Sequence, residues 1–255
     1  MPMKLFISAF RIILILSLSA AIACSEDAIP APGNLSSAAC RQFNLLNTEI
    51  RDGKIARNEA RKQLAALLPA IKNNALQQGA GQYTRSQWVF PLAGLDVNSA
   101  GNSRGADYIS AGYDFFDGNA HGGHPSFDLF IRDRNRDSLD DRNGSTVPVL
   151  SMTGGIVVAV ENDWTRHSKL RGGKYIWIYD ISSEALVYYA HNLDILVDIG
   201  DIVKPGDTIA NVGRTGLNAI KKRSPTHLHL TYLSIKDGYP LPENIFTDLK
   251  HSKSN

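Results

Sequence analysis

The second half of the chain has a texture that limits its fold more than any single motif does. Four runs rich in Val, Ile, Leu and Tyr, at 155–161, 174–181, 185–191 and 226–234, are separated by stretches of Gly, Asn, Asp and Ser. β-Branched and aromatic residues suit a pleated, half-buried surface, and the residues between the runs suit tight turns. No apolar residues at helical spacing lie between them. From Trp88 onward the sequence therefore predicts a mainly β, antiparallel domain, a sandwich or a barrel-like closure of short strands. No repeat of solenoid length and no low-complexity tract interrupts it.

The first part reads differently. Lys4 and Arg11 precede an apolar run, Ile12 to Ala23, that ends in small residues, the pattern of a secretion signal over 1–23. The run is too short for a spanning helix, which needs roughly 20 apolar residues. Ala21-Ile22-Ala23-Cys24 has the form of a lipobox, with Cys24 as a lipidated mature N-terminus and Ser25 pointing to the outer membrane. The alternative is a soluble periplasmic or secreted protein with a Cys24–Cys40 disulfide, which an oxidising compartment permits. Residues 24–35 are rich in Pro and Gly and predict a linker. Residues 36–80 predict a helical hairpin broken at Asp52-Gly53, with Leu64, Leu67, Leu68 and Ile71 forming one apolar stripe. Pro69 should kink or shorten its second arm.

Charge excludes one class of partner. Lysines and arginines number 27 against 25 acids, and without Lys4 and Arg11 the balance falls to about zero. No basic block with interleaved aromatics is present, so nucleic acid is not an expected partner.

Chemistry is concentrated in the histidines, of which there are seven. His124 and Asp128 form His-x-x-x-Asp. His227 and His229 form His-x-His on an expected strand, where i and i+2 project to one face. His191 ends another strand. Each signal alone is weak. Together they offer two imidazoles and a carboxylate, enough for a catalytic zinc with one position open, plus two further imidazoles for proton handling.

The order of these segments resembles the lysostaphin-type, LytM-like zinc metallopeptidases. The likeness runs through His124/Asp128, Ser145 to Val160, Tyr189-Ala190-His191, Gly200 to Gly216 and His227-Leu228-His229, and covers roughly Trp88 to Ser234. The resemblance implies a lysostaphin-type peptidase domain, related to the duplicated hybrid motif, over 85–246. It also implies one zinc held by His124, Asp128 and His229, with His191 and His227 as the non-ligand catalytic pair. The activity implied is hydrolysis of peptide cross-links in peptidoglycan, whose stem peptides would be the partner. A non-enzymatic envelope scaffold that binds peptidoglycan or activates an amidase is the alternative. The bond cut, the role of the helices and the oligomeric state are left open.

The chain departs from that family's pattern in the loop with Pro125 and Ser126 and in the stretch Ser224 to Thr231. Ser126 stands where Gly is usual between the ligands, and Thr231 stands where Glu follows His-x-His, which puts the support of the ligands in doubt. His121 lies close to His124 but has no Asp four residues on. Asp133, Asn135, Asp137 and Asp141 alternate as calcium ligands would, but Ser138 and Gly144 replace the Gly and Glu of such a loop, so a solvated acidic loop is the preferred reading. Trp164, Arg166 and His167 are expected in a loop that either borders a groove or is simply exposed.

Overall fold

The structure, a computed structural model, describes residues 32–103, 105 and 107–254. The secretion signal, Cys24 with its lipid or disulfide, and the linker up to residue 31 lie outside the described residues. No helix among the described residues is long and apolar enough to cross a membrane.

Among the described residues two helices come first, α1 (Pro32–Arg51) and α2 (Arg57–Gln77). α1 begins inside the stretch expected as linker. A proline fits there, because the N–H groups of a first helical turn have no partner within the helix. The hairpin breaks where Asp52-Gly53 predicts it. Gly53 takes a φ of 66°, and the Lys54 and Gly53 N–H groups donate to the Glu49 and Ile50 carbonyls, closing α1 as a Schellman cap. Pro69 does not shorten α2, one of the two effects expected of it, since the helix runs eight residues beyond it to Gln77. Leu64 and Leu68 before it and Ile71 and Ala75 after it are all buried on one side, and that packing carries the helix through the missing hydrogen bond.

Among the described residues the β domain holds ten strands: β1 (Ser126–Phe130), β2 (Pro148–Leu150), β3 (Gly155–Glu161), β4 (Tyr175–Asp180), β5 (Ala185–Ala190), β6 (Asn192–Ile195), β7 (Ile202–Val203), β8 (Thr208–Val212), β9 (His227–Lys236) and β10 (Tyr239–Pro242). They form a seven-stranded sheet in the order β1-β9-β5-β4-β3-β7, with β10 also on β9, and a three-stranded sheet in the order β2-β8-β6. The pairings are antiparallel. Neither sheet closes on itself, so the fold is a sandwich and not a barrel.

Alternation along the strands sends side chains to two separate cores. Ile176, Ile178, Val187, Tyr189, Leu228 and Leu230 meet Val149, Ile209 and Val212 of the small sheet. On the opposite face, Val158, Tyr179, Leu186 and Leu233 meet Phe43, Leu46, Leu64, Leu68 and Ile71 of the hairpin. The helices thus cover part of the large sheet, and the rest of that face is the floor of a groove. A short helix, α3 (Phe246–His251), closes the fold. Ile245 and Leu249 enter the first core, and Lys253 exchanges backbone hydrogen bonds with Trp88 and Phe90, so the packed unit runs past residue 246.

Candidate metal centre and its groove

β1 and β9 build the centre directly. Their register sets Asp128 opposite His229, Ser126 opposite Thr231 and Phe130 opposite His227. With a period of two, Asp128, His227 and His229 all leave the same face of the sheet. His124 arrives from the segment before β1. It is fixed by a two-way backbone pairing with Ile109, whose N–H and C=O meet His124 O and N at 2.8 and 2.7 Å. Gly123, at a φ of 68°, lets the chain pass so close to the Ile109 and Ala111 carbonyls that a Cβ would stand 2.7 and 2.6 Å from them.

Three side chains converge on one point. Asp128 Oδ1 lies 3.0 Å from His229 Nδ1 and 3.4 Å from His124 Nε2. Bonds of about 2.0–2.2 Å to a tetrahedral zinc place ligand atoms roughly 3.3–3.6 Å apart; the 3.4 Å pair falls in that range and the 3.0 Å pair would open by a few tenths of an ångström, so the donor set fits such an ion by type. Among the described residues, this is the group of His, Cys, Asp or Glu side chains whose ligand atoms all fall within 4.8 Å of one another.

Two more imidazoles stand beside it. The His191 ring centroid is 4.9 Å from that of His227 and 5.4 Å from that of His229, and His227 Nε2 is 3.7 Å from Asp128 Oδ1. Backbone carbonyls set their orientation. His191 Nδ1 meets Thr215 O at 2.8 Å, His227 Nδ1 meets Pro225 O at 2.8 Å, and His124 Nδ1 meets Asp107 O at 3.1 Å. A carbonyl only accepts, so each Nδ1 carries a proton, and in the neutral ring the lone pair is left on Nε2.

Burial and neighbours tune these groups. Burial opposes charge on Asp128, but hydrogen bonds from His124 and His229 outweigh it and hold the carboxyl well below the usual range. Burial, with His227 and His229 close by, pushes His191 well below the ordinary imidazole value. Burial also lowers His229, against the pull of Asp128. Both rings are therefore neutral near pH 7, the form that ligates metals and accepts protons.

His191 sits in a backbone conformation that few non-glycine residues adopt, at a φ of 69°. Its N–H donates to Gly172 O. Gly216, at a φ of 115°, passes so close that a Cβ there would stand 2.9 Å from His191 Nδ1 and 2.5 Å from Arg171 O. Strain at such a point, held from both sides, is common where a side chain must be aimed.

Behind His227, Arg214 donates to Lys221 O, Ser224 O and the Thr226 hydroxyl, and that hydroxyl donates to Asp133 Oδ2 at 2.6 Å. The other donors to Asp133 are the N–H groups of Arg136, Asp137 and Ser138. The acidic loop that resembles a calcium site thus has its first carboxylate occupied by the protein's own donors, and this geometry adds no support for calcium there.

The centre opens into a groove of about 290 Å³ whose floor includes Trp177 and Tyr188 and whose walls include Asn47 and Ile50 of α1. His121 lines the groove too, but its ring packs edge-on against Tyr113 and its Nδ1 faces Gly122 O. From the loop between β3 and β4, the lining comes from Leu170, Arg171 and Gly172; Trp164, Arg166 and His167 do not line it. Arg171, Trp177, Tyr188 and the α1 residues were not singled out from the sequence. Only an Arg-Gly-Gly just before a strand could have drawn attention to Arg171.

A small and a large sheet presenting a three-donor metal geometry define the general class of this protein. Residues 136–240, within the β domain, match the model of Peptidase family M23. The match contains His191, His227 and His229 and begins after His124 and Asp128, which the pairing of β1 with β9 brings to them. Solved structures with detectable likeness include the peptidase lysostaphin from Staphylococcus simulans, at 23% identity over 52% of this chain and 47% of that one, with a TM-score of 0.36. The chain thus spans about half the length of that relative. A candidate glycyl-glycine endopeptidase from Ruminococcus gnavus shows 18% identity over 85% and 86%, with a TM-score of 0.40. A zinc-containing peptidase from Vibrio cholerae shows 20% identity over 64% and 39%, with a TM-score of 0.37.

Proposed function

We propose that this protein is a zinc metallo-endopeptidase of the bacterial envelope that hydrolyses peptide cross-links of peptidoglycan. The observation that carries the reading is the convergence of His124, Asp128 and His229 beside two further imidazoles, those of His191 and His227, in one groove. Zinc bound there would supply Lewis acidity toward an amide carbonyl and a water. The rest is done by the chain's own groups. His124, Asp128 and His229 would hold the ion. His191 and His227 each present a bare Nε2, so either can accept the proton of an attacking water. The N–H formed by that transfer then faces the developing oxyanion or the leaving amine. Trp177 and Tyr188 give the substrate chain a flat apolar floor.

Export through the segment 1–23, with a lipid on Cys24 holding the domain at the outer membrane facing the periplasm, would bring this site to its substrate. Isolated sacculi incubated with zinc-loaded protein should release new muropeptides, and His227→Ala should abolish the release while leaving the fold intact. Equal products from wild type and His124→Ala would refute the reading. A protein that releases nothing, yet keeps its cellular role as His227→Ala, would be the non-enzymatic scaffold instead.

A further inference from the structure

Arg171 is a cation in the groove without an acid partner among the described residues. It stands in the loop between β3 and β4, half-buried, one residue before Gly172, whose carbonyl holds the His191 N–H. Its Nη1 donates to Asn119 O at 3.1 Å and His121 O at 3.2 Å. No carboxylate among the described residues makes an ion pair with it, whereas Arg51, which also lines the groove, is paired with both Asp52 and Glu161. A guanidinium has five N–H donors in a planar fork. The two carbonyls use one nitrogen, and its remaining donors have no such partner.

The groove mouth has the same sign. The segment 217–225 lends Asn218, Ala219 and Ser224 to the wall and carries Lys221, Lys222 and Arg223, all exposed and without an ion-pair partner among the described residues. A chain whose overall charge is nearly balanced thus gathers uncompensated cations around one site. A half-buried charge left unpaired is costly, and the cost is recovered when an anion arrives.

We infer that Arg171 is a specificity-determining residue that pairs with a carboxylate of the bound peptide, next to the scissile amide. This rests on the peptidase reading above. Planar recognition of a carboxylate by two parallel N–H···O bonds suits the free donors of the fork. Lysine would keep the charge without that geometry.

The test uses two synthetic cross-linked peptides that differ in one group, a free carboxylate beside the scissile amide in one and the carboxamide in the other. With the zinc-loaded full chain, kcat/KM should favour the carboxylate peptide by roughly 10- to 100-fold. In Arg171→Gln the ratio should fall toward one, and Arg171→Lys should restore part of it. If Arg171 only braced the segment 119–121, both peptides would suffer equally and the ratio would survive, which overturns the inference. The same ratio is read without turnover from the quenching of tryptophan fluorescence on binding, since Trp177 lines the groove. Tight, Arg171-dependent binding of the carboxylate peptide with cleavage of neither peptide upholds Arg171 and refutes the peptidase. Equal binding of both peptides by the wild type overturns the inference.

Discussion

The hydroxyls of Ser126 and Thr231 lie 2.6 Å apart across the β1–β9 pair, buried and directly opposite each other. Both are positions at which the sequence departs from the lysostaphin-type pattern. Each sits two residues from a proposed ligand, Asp128 on β1 and His229 on β9, and on the same face. The departures therefore satisfy each other and tie together the two strands whose register forms the centre. Removing one hydroxyl leaves the other buried and unpartnered, a loss of about 1–3 kcal/mol, while removing both costs less than the sum. Chemical denaturation of Ser126→Ala, Thr231→Val and the double variant checks this. Additive losses would show that the pair does not interact.

The helical hairpin packs into one apolar cluster with the large sheet. Its stripe of Leu64, Leu68 and Ile71 is fully or almost fully buried against the large sheet, and Gly118 packs so tightly on the end of α1 that a Cβ would stand 2.1 Å from Ile50 O. Leu64→Ala should cost about 2–5 kcal/mol and lower a single unfolding transition seen alike by helical and β signals. A first transition that melts the helices alone, with the β domain unaffected, would mark the hairpin as a removable segment.

Acid should loosen the loop behind His227 through Asp133. Burial raises its carboxyl, but the Thr226 hydroxyl and three backbone N–H groups outweigh that and hold it below the ordinary value. A carboxyl with a depressed folded value contributes stability that is fully present above its unfolded value, about 3.9, and is lost as pH falls toward the folded one. The stability difference between wild type and Asp133→Asn should thus be largest above about pH 5 and shrink below pH 4. Melting curves across that range measure it, and a difference that grows on acidification would have the wrong sign.

The strands that hold the chemistry were the most legible part of the sequence. β3 matches its expected run, and β4, β5 and β9 fall within one or two residues of theirs, because alternation and β-branched content are local properties. β6, β7 and β8 are short and carry few apolar residues each, so pairing rather than local pattern defines them. The hairpin break at Asp52-Gly53 was readable because Gly is favoured where φ must be positive; the passage of α2 through Pro69 was not, because tertiary packing decides it. His124, Asp128, His191, His227 and His229 were found through spacing and family resemblance, and the structure places all five at one groove. The groove walls were hidden, because Asn47, Arg171 and Trp177 come from three distant segments that only the fold brings together. The pairing of Ser126 with Thr231 was hidden for the same reason: 105 residues separate them.

The division of labour within the five-residue unit decides whether this centre is a catalytic zinc site. Zinc content by mass spectrometry, measured on purified wild type and on five single-alanine variants alongside hydrolysis of sacculi, reads that division. One zinc per chain is expected in the wild type. His124→Ala, Asp128→Ala and His229→Ala should lose the ion and the activity together. His191→Ala and His227→Ala should keep the ion and lose the activity by a factor of about 100 or more. Loss of zinc from His191→Ala or His227→Ala, or full zinc in His124→Ala, would contradict it.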